Sequence, residues 1–225
     1  GITAKGHYAD LLEEIGKRSE QFDPKTWERL HGMDQTKKLI TERFIKPIAE
    51  SELESAAPTG LLLYGPGGCG KTSIVMGIAA RLRLGYLQLQ ATDLNSKEKI
   101  AVVFGHAREL GRCLLFLDEG DSLLGGSGNV LINALKIEAD SKKMNDAKCR
   151  VVVATNNPEK MSKEGIGRRF AKVQVHVPLP DTAARAVIFR ACYATKDEHS
   201  LSECVVDEEL ASLTERYSPD EIITL

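Results

Sequence analysis

The chain has 225 residues, 42% of them hydrophobic, and its 30 Lys and Arg nearly balance 32 Asp and Glu. That length supports one substantial core, or a core with a small appended lobe, and a formal charge of -2 calls for neither nucleic acid nor a membrane surface. No run approaches the ~18 apolar residues of a membrane span, the N-terminus lacks the layout of a secretory signal, and Cys69, Cys113, Cys149, Cys192 and Cys204 show neither CxxC nor zinc-ligand spacing, so they are expected to be reduced thiols of an intracellular, cytoplasmic protein.

Residues 8 to 20 put Leu11, Leu12 and Ile15 at helical spacing among charges, which predicts an amphipathic lead-in helix. Lys37 to Ile48 repeats the pattern with Leu39, Ile40, Phe44 and Ile45, and the run Glu50 to Thr59 closes it. The short apolar stretch Leu61-Leu62-Leu63-Tyr64, bounded by glycines, reads as a buried parallel strand. Thereafter helices and strands alternate: helix from Lys71 to about Leu82, strand Tyr86 to Leu89, helix Glu98 to Leu110, strand Leu114 to Leu117, helix Val130 to Ala139, then strands Arg150 to Ala154 and Val173 to Val177. Such a succession predicts an α/β fold with a parallel sheet flanked by helices. After Pro180 the pattern turns helical, over Thr182 to Tyr193 and Asp207 to Tyr217.

Directly after the first strand, Gly65-Pro66-Gly67-Gly68-Cys69-Gly70-Lys71-Thr72 satisfies G-x-x-x-x-G-K-T/S and opens a helix. Backbone amides in such a loop point inward around phosphates, which demands glycine conformations, and the following helix adds its N-terminal dipole. Lys71 is placed to reach the β- and γ-phosphates, Thr72 stands at the Mg²⁺ position, and Ser73 beside it is a further nucleotide-binding candidate. The fold is therefore expected to be a P-loop NTPase with a parallel five-stranded sheet, followed by a partial helical lid.

Cys113-Leu114-Leu115-Phe116-Leu117-Asp118-Glu119 is an apolar strand ending in two carboxylates. The carboxyl ends of strands are where open α/β sheets bind ligands. Asp118 is expected to hold Mg²⁺ through its water shell and Glu119 to polarise the attacking water as general base. The strand Val151-Val152-Val153-Ala154 delivers Thr155-Asn156-Asn157 to the same edge, where an amide orients water or meets the γ-phosphate without adding charge.

Together with Asp121-Ser122-Leu123, Ala154-Thr155-Asn156 and Gly167-Arg168-Arg169-Phe170 leading to Val177-Pro178-Leu179-Pro180, this set resembles the AAA+ ATPases over nearly the whole chain. The resemblance implies ATP as the nucleotide, Asn156 as the sensor-1 amide, and Arg168 and Arg169 as arginine fingers reaching the neighbouring subunit's γ-phosphate. Trp27-Glu28-Arg29-Leu30-His31-Gly32-Met33 resembles the family segment that contacts adenine, which makes Leu30, His31 and Gly32 the base candidates. The resemblance further implies three parts: a linker and helix over 1–26, a large nucleotide-binding subdomain over 27–180, and the start of a helical lid over 181–225. The double arginine before phenylalanine resembles the clade of katanin, spastin, fidgetin and the ESCRT-filament-disassembling ATPase. Asp10-Leu11-Leu12-Glu13 leans the likeness toward katanin.

Two departures stand out. The clade carries a pore-gripping aromatic after its second strand, whereas Asp93 to Lys97 runs straight into Glu98-Lys99-Ile100 and no aromatic follows before Phe104. Either the grip is lacking or a loop is missing between Lys97 and Glu98, the second being preferred. Leu124-Gly125-Gly126-Ser127-Gly128-Asn129 is likewise short, and Gly120 replaces an apolar residue, which is expected to loosen the loop after Glu119. By resemblance the function is Mg-dependent ATP hydrolysis in a homo-hexameric ring, monomeric when isolated, that remodels a protein assembly such as tubulin tails or filament subunits. Two other readings stand beside it: a nucleotide-gated interaction module with little hydrolysis, and a DNA-directed loader. The intact Lys71, Asp118, Glu119 and Asn156 oppose the first, and the absence of a basic stripe opposes the second.

Overall fold

A computed structural model describes residues 8–17, 23–50, 57–124, 128–159, 171–194 and 203–224. Strands β1 (Gly60–Tyr64), β2 (Gly85–Leu89), β3 (Cys113–Leu117), β4 (Arg150–Thr155) and β5 (Val173–His176) form one sheet, ordered β2-β3-β4-β1-β5. Every pairing in it is parallel. All residues of β3 and β4 are buried, as expected of parallel strands covered on both faces.

Alternate side chains feed two cores. On one face Leu62, Leu115, Leu117, Val151 and Val153 meet Ile100, Val103 and Phe104 of helix α5 (Lys97–Leu110) and Ile132 and Leu135 of α6 (Gly128–Glu138). Ile15 of the lead-in helix α1 (Ala9–Lys17) joins this face. On the other, Leu61, Leu63, Leu114, Phe116 and Val152 meet Ile74, Val75 and Ile78 of α4 (Lys71–Leu82), with Ile40 and Phe44 of the preceding helical stretch.

That stretch is longer than the sequence suggests: α2 (Asp34–Ile40) runs through a π turn (Thr41–Ile45) into α3 (Lys46–Glu50). Pro47 offers no N–H and crowds the carbonyl four residues back, and the widened turn lies just ahead of it. Two short elements escape the hydrophobic pattern altogether. A 3₁₀ turn (Pro24–Trp27) is capped by Asp23, which accepts from the Lys25 amide at 2.9 Å, and α7 (Ser141–Asp146) is capped by Asp140. Both are announced by an acidic cap rather than by periodicity.

The segment after β2 forms a 3₁₀ turn (Ala91–Leu94), and α5 begins at once, with Ser96 Oγ accepting from the Lys99 amide at 3.2 Å. The helix passes without a break through Lys97-Glu98, the junction at which the pore-gripping loop is expected.

The final helices are α8 (Thr182–Ala194), α9 (Glu203–Leu213) and α10 (Pro219–Ile223). They share a small core of Ile188, Phe189, Ala211 and Ile222. Buried Arg185 ties them together, donating to the Ala211 carbonyl through Nε at 3.0 Å and Nη2 at 2.7 Å, and to Pro180 O at 2.9 Å. The expected helix to Tyr217 stops at Leu213 because Ser218-Pro219-Asp220-Glu221 starts another. Ser218 and Glu221 cap each other reciprocally and proline fills the first helical position.

Trp27, 5% exposed, lies flat on α4 where Gly77 leaves room for it; a Cβ on Gly77 would stand 2.9 Å from Trp27 Cε3 and 3.2 Å from Trp27 Cα. Gly77→Ala should therefore destabilise the fold by about 1–3 kcal/mol of overpacking, offset by up to ~1 kcal/mol of helix propensity. Thermal unfolding checks this: an unchanged or raised midpoint would show that the tryptophan segment does not bear on α4.

Candidate functional site

The site is built at the carboxyl ends of β1, β3 and β4. Gly65 leaves β1 with its amide donated to Thr155 O at 3.3 Å. A Cβ on Gly65 would stand 2.0 Å from the Val177 carbonyl oxygen, so only glycine can make this exit. Pro66 and Gly67 form the exposed crest of the loop, Cys69 is buried beneath it, and Gly70 (φ 76°) precedes the first turn of α4. Gly68 is pressed against the start of α10: the Asp220 amide donates to Gly68 O at 3.3 Å, and a Cβ on Gly68 would meet Ser218 Oγ at 2.8 Å.

Lys71 is 8% exposed. Its Nζ donates to Gly65 O at 2.9 Å, to Pro66 O at 2.7 Å and to Asn156 Oδ1 at 2.7 Å, which accounts for all three ammonium protons. Burial pulls the lysine pKa below its ordinary value, against the opposing pull of Cys69, Asp118, Asp121 and Asp220. Burial likewise raises the Cys69 thiol above its ordinary value.

Thr72 Oγ1 donates to Asp118 Oδ2 at 3.2 Å, so a hydroxyl and a carboxylate converge on one point beside the loop. Ser73 is exposed on the outer face of α4 and takes no part in that pair. Asp118 Oδ1 accepts the Glu119 amide at 3.0 Å. Glu119 is exposed and takes a left-handed backbone (φ 49°), a conformation that costs a non-glycine residue about 1–3 kcal/mol and is retained where the surroundings impose it. Ser122 closes on it, donating to the Glu119 carbonyl from its amide at 2.8 Å and its hydroxyl at 2.6 Å. The unusual φ thus falls on Glu119, while Gly120 is buried at the start of a 3₁₀ turn (Gly120–Leu124).

Across the site, Thr155 Oγ1 donates to Asp121 Oδ1 at 2.8 Å and accepts the Asn157 amide at 2.9 Å. Lys71, Thr72, Asp118, Glu119 and Asn156 are therefore gathered at one sheet edge. Arg168 and Arg169 lie outside the described residues. Among the described residues no group of three or more His, Cys, Asp or Glu could hold a metal ion, and no helix is long and apolar enough to cross a membrane.

The base candidates lie between the 3₁₀ turn at Pro24–Trp27 and α2. Leu30 is buried, with its carbonyl 3.3 Å from Lys37 Nζ, and His31 points to solvent. Gly32 (φ 69°) abuts α8, where a Cβ would stand 2.8 Å from Ala184 O and 3.2 Å from Ile188 Cγ1. A cavity of about 800 Å³ opens there, lined among others by Gly32, Met33, Val177, Leu179, Ala184 and Ile188. Ala184 and Ile188 were not legible as site residues, because within α8 they read only as helix interior.

Comparison with known proteins adds the family context. A model of the ATPase family associated with various cellular activities (AAA) matches residues 61–179. The chain is similar to Fidgetin-like protein 1 of Drosophila melanogaster, 31% identical over 94% of the chain and 43% of that protein. It is also similar to Spastin of Anopheles gambiae, 32% identical over all of the chain and 29% of that protein. The chain thus spans less than half the length of these relatives. The spastin alignment runs over 243 positions against 225 residues, so about 18 of its positions face no residue of this chain. Among solved structures, the FIGL-1 AAA domain in complex with ADP superposes with a TM-score of 0.73 at 25% identity, covering 88% of this chain and 70% of that one. A katanin structure reporting on self-assembly shares the fold with a TM-score of 0.68 at 24% identity, over 85% of this chain and 65% of that one.

Proposed function

We infer the site's task from the family: this chain belongs to the ATPase family associated with various cellular activities (AAA), and it is an ATPase. The observation that carries the site assignment is Lys71 Nζ at 2.7 Å from Asn156 Oδ1, beside the Thr72 and Asp118 pair. A γ-phosphate oxygen entering between Lys71 and Asn156 would replace that mutual bond, so both residues act on the phosphate that leaves. The loop amides of Gly67 to Gly70 cradle the remaining phosphates. Glu119, exposed at the strand end, takes the proton of the attacking water.

Thr72 and Asp118 fit Mg²⁺, which prefers a few hard oxygen donors and completes its shell with water and phosphate. When bound, the ion neutralises charge on the transferring phosphoryl group. The cavity between Gly32 and Ile188 suits adenine, an apolar ring with polar edges; of the three base candidates Gly32 lines it and Leu30 and His31 do not.

The working unit we propose is a homo-hexamer in which Arg168 and Arg169 complete the neighbour's site. The parts are a lead-in segment over 1–26, a nucleotide-binding subdomain over 27–180 and a lid over 181–225. The relatives named spastin and fidgetin-like support an ATP-driven remodeller of a protein assembly, tubulin tails or filament subunits being the two substrate classes. The free thiols of Cys69, Cys113, Cys149 and Cys192 suit a reducing cytoplasm.

ATP turnover measured against protein concentration tests the assembly. Specific activity should rise steeply with concentration and fall about 10³-fold or more in Arg168→Ala, while nucleotide binding persists. Flat turnover that ignores the substitution, with oligomers demonstrated by sedimentation, would remove the finger assignment and leave a nucleotide-gated interaction module as the better reading.

A further inference from the structure

The roles assigned above leave Asp121 and Thr155 without a task, yet the structure joins them across the site. The β3–β4 ladder is in register from Leu114 opposite Arg150 to Leu117 opposite Val153. Glu119 and Asn156 both lie past its last pair, so the ladder does not fix one against the other. Ser122 cannot do so either, because its two bonds return to the Glu119 carbonyl and stay within the turn.

The Thr155 hydroxyl supplies the missing cross-connection. Thr155 is 1% exposed. It donates to Asp121 Oδ1 at 2.8 Å and accepts the Asn157 amide at 2.9 Å. One carboxylate, two residues beyond Glu119, is thereby bonded to the residue before Asn156 and, through its hydroxyl, to the residue after it. Asn156 is held on both sides while its own amide oxygen remains with Lys71 at 2.7 Å.

We propose that Asp121 and Thr155 are a positioning pair that sets the general base Glu119 and the phosphate-contacting Asn156 at a fixed separation across the site. The inference rests on those two roles being as assigned. Asp121 acts on Glu119 through the Gly120 backbone, and Thr155 acts on Asn156 through its neighbours in the chain. The device is geometric: it needs an acceptor oxygen at residue 121 and a hydroxyl at residue 155, not the negative charge itself.

Four substitutions in the full chain, assayed in the assembled state, test this. Thr155→Val removes the hydroxyl and with it the bonds to Asp121 and to the Asn157 amide, and Asp121→Ala removes the acceptor. Each should lower kcat about 10- to 10²-fold, the scale expected of a displaced catalytic group, with nucleotide Kd unchanged within about twofold. Thr155→Ser and Asp121→Asn restore the hydroxyl and the acceptor oxygen and should recover most of the lost turnover. The double variant Thr155→Val, Asp121→Ala should be no slower than the slower single, because the two act as one unit. Losses that follow the melting temperature or Kd rather than kcat would overturn the proposal. So would a Thr155→Ser as slow as Thr155→Val, or an Asp121→Asn as slow as Asp121→Ala. Glu119→Gln measured alongside separates the failures: if it keeps turnover, the base assignment is wrong, and if it abolishes turnover while Thr155→Val is unaffected, only the positioning pair falls.

Discussion

Glu119→Gln should bind ATP as the parent does and turn it over about 10²- to 10⁴-fold more slowly, the range that removing a positioned general base covers. The expectation depends on how little else the change disturbs. Glu119 is exposed, its side chain holds up no core, and its backbone is fixed by the Asp118 carboxylate on one side and by Ser122 on the other. Glutamine keeps the shape and the left-handed backbone and loses only proton affinity. Phosphate release in steady state, with a fluorescent nucleotide titration for Kd, makes the comparison. A joint rise in Kd and fall in kcat would instead mark Glu119 as a binding residue.

Among the described glycines, Gly65→Ala should cost the most stability, about 3 kcal/mol or more. A Cβ there would stand 2.0 Å from Val177 O and 3.0 Å from the Val177 carbonyl carbon. Those atoms belong to backbone that follows β5 directly and whose Val177 amide is bonded to Tyr64 O at 2.8 Å, so neither strand can step aside alone. The loss corresponds to a fall of roughly 6–12 °C in Tm for a domain of this size. It should come with weakened nucleotide binding, because Gly65 O is also an acceptor for Lys71. A melting curve within about 2 °C of the parent would mean that β1 and β5 separate more readily than their pairing implies.

The central strands were legible because β1, β3 and β4 are short apolar runs, and the burial of β3 and β4 on both faces removes any need for alternation. The phosphate loop was legible for a different reason: Gly65, Gly68 and Gly70 stand where close approach or positive φ permits little else. What the residues could not announce is pairwise. Nothing in Leu117-Asp118-Glu119 signals that Glu119 will take φ 49° while Gly120 does not, since that strain is imposed by Ser122 and Asp118 after folding. The Asp121 to Thr155 bond joins the turn after β3 to the end of β4 and carries no local pattern. The early end of α9 was readable in principle, because Ser218-Pro219-Asp220-Glu221 is a start signal, but the apolar spacing before it outweighed the cap. Gly32 was singled out by resemblance, and the cavity it lines with Ala184 and Ile188 emerged only from packing.

The Asp220 amide joins the start of α10 to Gly68 O. On the proposed reading of the loop as the phosphate site, that bond would couple the two: if phosphate tightened the loop at Gly68 it would hold α10 more firmly, and a displacement of α10 would weaken phosphate binding by the same free energy.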